Sequence, residues 1–257
     1  MKENAFSVHQ LCVNYEKTPV LWDISFSIPE GKLVALIGPN GAGKSTLFKA
    51  ALGFLKPLSG KISFFGEPLA KMRKKIAYVP QRESVDWNFP ITVFDLVLMG
   101  SFAKKGLFRR PGEAEKAKAQ EKLALVGLES YGDRQISQLS GGQQQRAFLA
   151  RALMQEAELY FMDEPFTGID IPSTEKIVEI LKSLRDQGKS LFLVHHDLNS
   201  VQAVFDWVVL LNLRLVDCGE VGKIFTPEKV RQTYGCETLL FDEALKLSYE
   251  KMTGVAR

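Results

Sequence analysis

The run Gly38-Pro39-Asn40-Gly41-Ala42-Gly43-Lys44-Ser45-Thr46 has the residue types and spacing to hold a chain of phosphates. Glycines at 38, 41 and 43 lack a Cβ, so successive backbone N–H groups can curl around an anion at the start of a helix. Lys44 then reaches the β- and γ-phosphates, and Ser45 offers its hydroxyl to magnesium, a hard cation that keeps most of its waters. The bland alternative is a tight turn between a strand and a helix. The phosphate reading is favoured because strand, helix and serine all fall in place: residues 33–37 are an apolar run and residues 46–52 have helical character.

Three further groups could do chemistry beside such a loop. Asp163 and Glu164 follow a short apolar strand at 159–162, and adjacent carboxylates there are costly unless they meet a cation or polar partners. Open α/β sheets bind ligands beyond the carboxyl ends of their strands, so Asp163 is expected to hold magnesium through water and Glu164 to polarise an attacking water. Ser140 precedes Gly141, Gly142 and Gln143 at the start of a helix. A serine cap followed by two glycines leaves the first N–H groups open to a second anion. His195 and His196 follow the strand at 191–194; a histidine at a strand end near phosphates can donate to a γ-phosphate oxygen. On a strand the two would point to opposite faces, which does not suit joint ligation of one metal.

The elements that must position these groups alternate between strand and helix patterns. Residues 6–13 and 21–28 read as antiparallel strands around a turn at Asn14-Tyr15-Glu16. Tyr15 is there either a surface or plugging aromatic or a face for a planar ring. Residues 61–66 give a strand with a turn, and residues 76–79 a strand that stops at Pro80-Gln81. The stretch 87–93 exposes aromatic residues in a proline-bearing loop, and residues 93–127 look helical, as expected of an insertion into an α/β core. Lys104, Lys105, Arg109 and Arg110 make a basic run, read as a solvated face or as a surface near lipid head groups. Phe148, Leu149, Ala152 and Leu153 share one helical face, as do Ile177, Ile180, Leu181 and Leu184. Residues 208–211 and 215–218 read as a hairpin, and helical pieces with a loose tail follow from Thr226.

Composition narrows the class. The 257 residues suffice for a sizeable core, and a net charge of +3 is too weak to argue for nucleic acid. The longest apolar run, 208–216, is interrupted by Asn212 and Arg214, and the N-terminus lacks the apolar core of a signal peptide, so a cytoplasmic protein is expected. Cys12, Cys218 and Cys236 lie too far apart to suggest a disulfide framework or zinc site.

In this order the motifs resemble the ATP-binding cassette of ABC transporters, over about residues 5–225. Leu139-Ser140-Gly141-Gly142-Gln143 is the most specific of them, since other P-loop NTPases lack it. The resemblance implies an α/β P-loop NTPase (RecA-like) core at 5–86 and 156–225. It adds an N-terminal antiparallel β subdomain, an inserted α-helical subdomain at 87–155, and a C-terminal helical extension at 226–257. It implies that Tyr15 stacks on the adenine of ATP, that Gln81 joins Ser45 and Asp163 at Mg2+, and that Glu164 and His196 are catalytic. Asp170 then lies in the loop joining two active sites. Ser140, Gly141, Gly142 and Gln143 of one copy close over ATP held by a second copy in a head-to-tail dimer.

A lone cassette must dock on a separate permease, implied here near Gln81 to Val93, with a metal-binding protein outside the membrane involved indirectly. That places the chain on the cytoplasmic face of the inner membrane and involves no nucleic acid. A finer resemblance rests on Val79-Pro80-Gln81-Arg82, on Val85 through Val93, on Asp163 through Asp170 and on Val194 through Leu198. These stretches are similar to the cassettes of bacterial manganese, zinc and iron uptake systems, manganese first. Phe166, Gly168 and Ile169 depart from the commoner Thr-Ser-Ala-Leu-Asp wording, while Asp170 is retained. The alternatives are another imported substrate, or a soluble cassette protein of DNA repair or translation.

Overall fold

A computed structural model describes residues 4–15, 18–105 and 110–235. In chain order its elements begin with β1 (Asn4–Tyr15), β2 (Thr18–Pro29), β3 (Leu33–Ile37), α1 (Lys44–Ala51) and β4 (Ser59–Phe64). Next come α2 (Leu69–Met72), β5 (Ile76–Val79), α3 (Val93–Leu98), α4 (Phe102–Lys105), α5 (Glu113–Leu125) and α6 (Gly141–Met154). The chain continues through β6 (Leu159–Asp163), α7 (Ile171–Asp186), β7 (Ser190–Val194) and α8 (Val201–Val204). It closes with β8 (Trp207–Asn212), β9 (Arg214–Glu220), α9 (Val221–Ile224) and α10 (Pro227–Tyr234). Two compact units result, one from residues 1–69 with 194–257, the other from residues 70–193.

In the first unit the alternating pattern of the N-terminal strands yields a three-stranded antiparallel sheet in the order β2-β1-β4. Its buried face is aromatic: Phe6 meets Phe26 at 5.8 Å and Phe64 at 5.3 Å between ring centroids. Tyr15 was expected in the turn, but it ends β1 and pairs with Thr18; the connection is shorter than the polar residues suggested. The Tyr15 side chain lies outside the described part, as do those of Lys104, Lys105 and Arg109, together with Cys236 and the extension from 236 onward. β3 is buried at every position and pairs in parallel with β8, which turns antiparallel into β9. A strand covered on both faces reads as an uninterrupted apolar run, and Leu33-Val34-Ala35-Leu36-Ile37 is one.

In the second unit β5 and β6 are parallel, in register from Ile76↔Leu159 to Val79↔Met162, with β7 beside β6. Phe161 and Phe192 pack at 5.7 Å between these neighbours. α3, α5 and α6 pack on one another. α6 was read as amphipathic, yet it is buried nearly all round, including Gln144 at 4% and Gln145 at 2% exposure. Surrounded on several sides, it hides polar side chains that a one-face pattern would have turned to water. Trp87, expected to be exposed, is half-buried: its ring meets Phe148 edge-on at 5.3 Å and its indole N–H donates to the Arg82 carbonyl at 2.9 Å.

Candidate active site

The glycine-rich loop of the first unit is built to hold its shape. A Cβ on Gly38 would lie 1.9 Å from the Leu211 carbonyl oxygen, so only glycine lets β3 leave past β8 there. Gly43, at φ 91°, is the left-handed residue that turns the chain into α1, and a Cβ on it would strike Leu21. The loop is clipped from outside as well: the Leu213 N–H donates to Ala42 at 3.0 Å, and the Trp22 N–H to Leu213 at 2.9 Å. Tyr234, its hydroxyl pushed up to about 12 by burial, takes a hydrogen bond from the Gly38 backbone.

Inside this loop Lys44 is 6% exposed, and its Nζ donates to the carbonyls of Gly38 at 2.7 Å and Pro39 at 2.8 Å. No side chain among the described residues caps α1. A buried ammonium at the positive end of an uncapped helix is a fit for a polyphosphate, which supplies both the countercharge and the acceptors. Ser45 is half-buried and Thr46 buried on the first turn of the same helix.

The histidine pair divides between core and surface. His195 is 8% exposed, its backbone N–H donates to Leu36 at 3.1 Å, and its Nε2 lies 2.7 Å from Ser200 Oγ. Ser200 Oγ also lies 3.0 Å from the Asp197 carbonyl, and the Asp197 backbone hydrogen-bonds the His195 ring as well. Burial holds the His195 pKa below its ordinary 6.5. His196, the residue the resemblance singles out, is exposed just beyond β7.

The carboxylates are in the second unit. Asp163 is the last residue of β6 and only 1% exposed. On the adjacent strand the Tyr78 hydroxyl is driven well above its usual range by burial and by the Asp163 charge. Glu164 follows at φ 54°, a left-handed conformation that costs a non-glycine residue about 1–3 kcal/mol and is retained where the surroundings enforce it. Two donors aim its side chain: Gln81 Nε2 to Oε1 at 3.4 Å and Thr167 Oγ1 to Oε2 at 3.1 Å. Gln81, which the resemblance places at magnesium, here donates to Glu164, and Thr167 is a residue the motifs did not mark. Its only signal in the sequence was a hydroxyl three residues after the glutamate.

The Ser140 segment closes on itself. Ser140 Oγ accepts from the Gln143 N–H at 3.4 Å, and Gln143 Oε1 accepts from the Ser140 N–H at 2.9 Å, a reciprocal cap at the start of α6. A Cβ on Gly142 would come within 2.9 Å of the Gly168 carbonyl, so this helix end rests against the stretch leading to Asp170. Asp170 caps α7, accepting from Ser173 N–H at 2.9 Å and Ser173 Oγ at 3.0 Å, and those bonds hold its carboxyl below the usual 3.8. Arg82 and Gln144, which the motifs did not mark, lie at the same helix start, with Arg82 Nε donating to Gln144 Oε1 at 3.2 Å. Among the described residues no cluster of histidine, cysteine and acidic side chains could hold a metal ion, and no helix is long and apolar enough to cross a membrane.

Residues 21–167 match the family model described as ABC transporter. The chain is 55% identical to the zinc transport system ATP-binding protein TroB of Treponema pallidum, over 90% of this chain and 87% of that one. It is 51% identical to the manganese transport system ATP-binding protein MntB of Bacillus subtilis, over 91% and 94%. Among solved structures, the ATP binding subunit of an ABC transporter superposes with a TM-score of 0.77 at 28% identity, covering 97% of this chain and 99% of that one. With its glycine-rich loop, its paired carboxylates and its capped Ser-Gly-Gly helix, the chain belongs to the ABC transporter family as an ATP-hydrolysing, ATP-binding component.

Proposed function

We propose that this chain drives uptake of a divalent metal ion, manganese first and zinc next, through a separate permease. The observation that carries the cargo is the identity above 50% with zinc and manganese transport ATP-binding proteins over about nine-tenths of the chain. Residues 38–46 bind the triphosphate of ATP, with Tyr15 against the adenine. Ser45, Asp163 and Gln81 offer a hydroxyl, a carboxylate and an amide oxygen, the hard donor set that suits magnesium. The Gln81 amide nitrogen is spent on Glu164, which leaves its oxygen for that purpose. Bound magnesium would neutralise charge on the β- and γ-phosphates. Glu164, aimed by Gln81 and Thr167, accepts hydrogen bonding from the attacking water, and His196 contacts the γ-phosphate.

Ser140, Gly141, Gly142 and Gln143 act on ATP held by a second copy, and Asp170 links the two sites of the head-to-tail dimer. Residues 5–86 and 156–225 form the nucleotide-binding core, residues 87–155 the helical subdomain and residues 226–257 an extension. The permease docks near Gln81 to Val93 from the membrane side, with the chain on the cytoplasmic face. An apolar cavity of about 230 Å³ there is lined by Val85, Trp87, Phe89, Ile91, Met99 and Phe148, with Phe89 58% and Met99 40% exposed. Exposed apolar side chains around such a cavity favour a protein partner.

Uptake of radioactive manganese and zinc into cells carrying the chain with its neighbouring permease tests the cargo. Accumulation of manganese, competed by zinc and abolished by Lys44→Ala, is expected. Intact ATP hydrolysis with neither metal accumulating would assign the chain to another imported substrate.

A further inference from the structure

We infer that Arg82 is a positioning residue that ties the segment carrying Gln81 to the start of α6, and so sets the Ser140-Gly141-Gly142 end for its partner's ATP. The inference rests on the composite-dimer reading above and concerns a residue that reading does not use. Gln81, at φ −61° and ψ 139°, leads into the single helical turn that begins at Arg82, and the two side chains part there. Gln81 reaches Glu164, and Arg82 reaches Gln144. Two consecutive residues touch both the hydrolytic carboxylate and the helix that serves the other copy.

The contact with α6 is close and made at two points. The Arg82 guanidinium lies where a Cβ on Gly141 would fall, 2.8 Å from its central carbon and 3.0–3.1 Å from two of its nitrogens. Gln144, 4% exposed, is anchored in turn by its Nε2 to the Ile136 carbonyl at 3.2 Å, so the acceptor that Arg82 finds is itself fixed. The second point lies two turns further along: Trp87 holds the Arg82 carbonyl through its indole N–H while its ring packs on Phe148. A displacement of the 81–87 segment has to carry α6 with it or break both attachments.

Electrostatics gives the arrangement its direction. A guanidinium at the positive end of a helix is unfavourable for the helix alone, so its placement there does not serve helix stability. An anion arriving at that end meets the helix dipole and the guanidinium together. Arg82 thus stiffens the segment before closure and adds attraction during it.

The full-length chain in a Glu164→Gln background, with ATP-driven dimerisation followed by sedimentation, supplies the test. Binding of a fluorescent ATP analogue at concentrations that keep the chain monomeric is measured beside it. If Glu164→Gln alone fails to dimerise with ATP, the composite-dimer reading falls and this inference with it. With that control dimerising, Arg82→Met should weaken the dimer about tenfold, as expected for loss of one charge-assisted hydrogen bond, while analogue affinity stays within about twofold because Gly38 to Thr46 are left unaltered. Arg82→Lys, which still donates to Gln144, should recover most of the loss. Gln144→Leu should act in the same direction, and the double variant should do no worse than Arg82→Met. Unchanged dimerisation in Arg82→Met, equal loss of analogue affinity, or multiplying effects in the double variant would each overturn the inference.

Discussion

Two helix starts in this protein, both proposed above to meet ATP, are finished in opposite ways. At α1 the chain supplies no side-chain cap, turns through left-handed Gly43 and buries a lysine against its own loop carbonyls. At α6 Ser140 and Gln143 cap each other, and a guanidinium from another segment lies over Gly141. The first is a preformed cradle with its countercharge built in. The second is satisfied while it waits, and the 3.4 Å bond from Gln143 to Ser140 Oγ is the long one of its cap, so the hydroxyl can be released at little cost. One end has no side-chain cap at rest; the other would take a phosphate only by exchanging what already fills it.

Removing the charge of the open end should have the largest effect. Lys44→Ala leaves the cradle without its buried ammonium, and kcat/KM for ATP should fall about 10³-fold, in the range seen when one preorganised electrostatic donor is lost. Nucleotide titration should show weakened binding in the monomer as well. If only the rate fell and affinity held, the preformed character assigned to α1 would be wrong.

At the self-capped end the expected loss is smaller and of another kind. Ser140→Ala should lower turnover about tenfold at saturating ATP, through loss of one hydrogen bond to a charged group, with monomer affinity unchanged. The lost cap should also cost about 1 kcal/mol of stability, read by urea unfolding. A drop in monomer affinity would erase the distinction between the two ends. Smaller still is Thr167→Ala, which removes one donor to Glu164 and should slow hydrolysis a few-fold, roughly 1 kcal/mol, with Thr167→Ser restoring it.

The sequence made the open end legible because its requirements are local: three glycines, a lysine and a serine in nine residues, between an apolar strand and a helix. The cap at Ser140 and the carboxylates at the end of β6 are local in the same sense. Roles in a second copy came from family resemblance, since no periodicity marks a site completed by another molecule. Arg82 was not legible as a partner of Gly141 and Gln144, because about sixty residues separate them and no pattern encodes a tertiary contact. The left-handed Glu164, the burial of Gln144 and Gln145 and the half-buried Trp87 escaped for a related reason. Each is imposed by neighbours from elsewhere in the chain that override the local preference for exposure or extended backbone.

The smallest expected effect tests how rigid the cradle is from behind. His195 ties its N–H to Leu36, two residues before Gly38, and its ring is buried against Phe205 with Nε2 2.7 Å from Ser200 Oγ. Burial depresses its pKa in the folded state, so between that value and the unfolded 6.5 the unfolded chain binds the extra proton. Its contribution to stability is therefore complete above about pH 6.5 and is lost as pH falls through the folded pKa. His195→Gln, neutral at every pH and able to hydrogen-bond Ser200 through its amide, should flatten the decline of the thermal midpoint on the acid side of 6.5 while leaving the midpoint at pH 8 nearly unchanged. ATP affinity of the folded chain should stay level across that window, where native His195 is still neutral, and fall only once pH passes below the folded pKa, because the strand that His195 holds delivers the first residue of the phosphate loop. A native affinity that stayed level even below the folded pKa would show that the cradle keeps its shape without this support, and that its rigidity comes from the Leu213 and Trp22 hydrogen bonds.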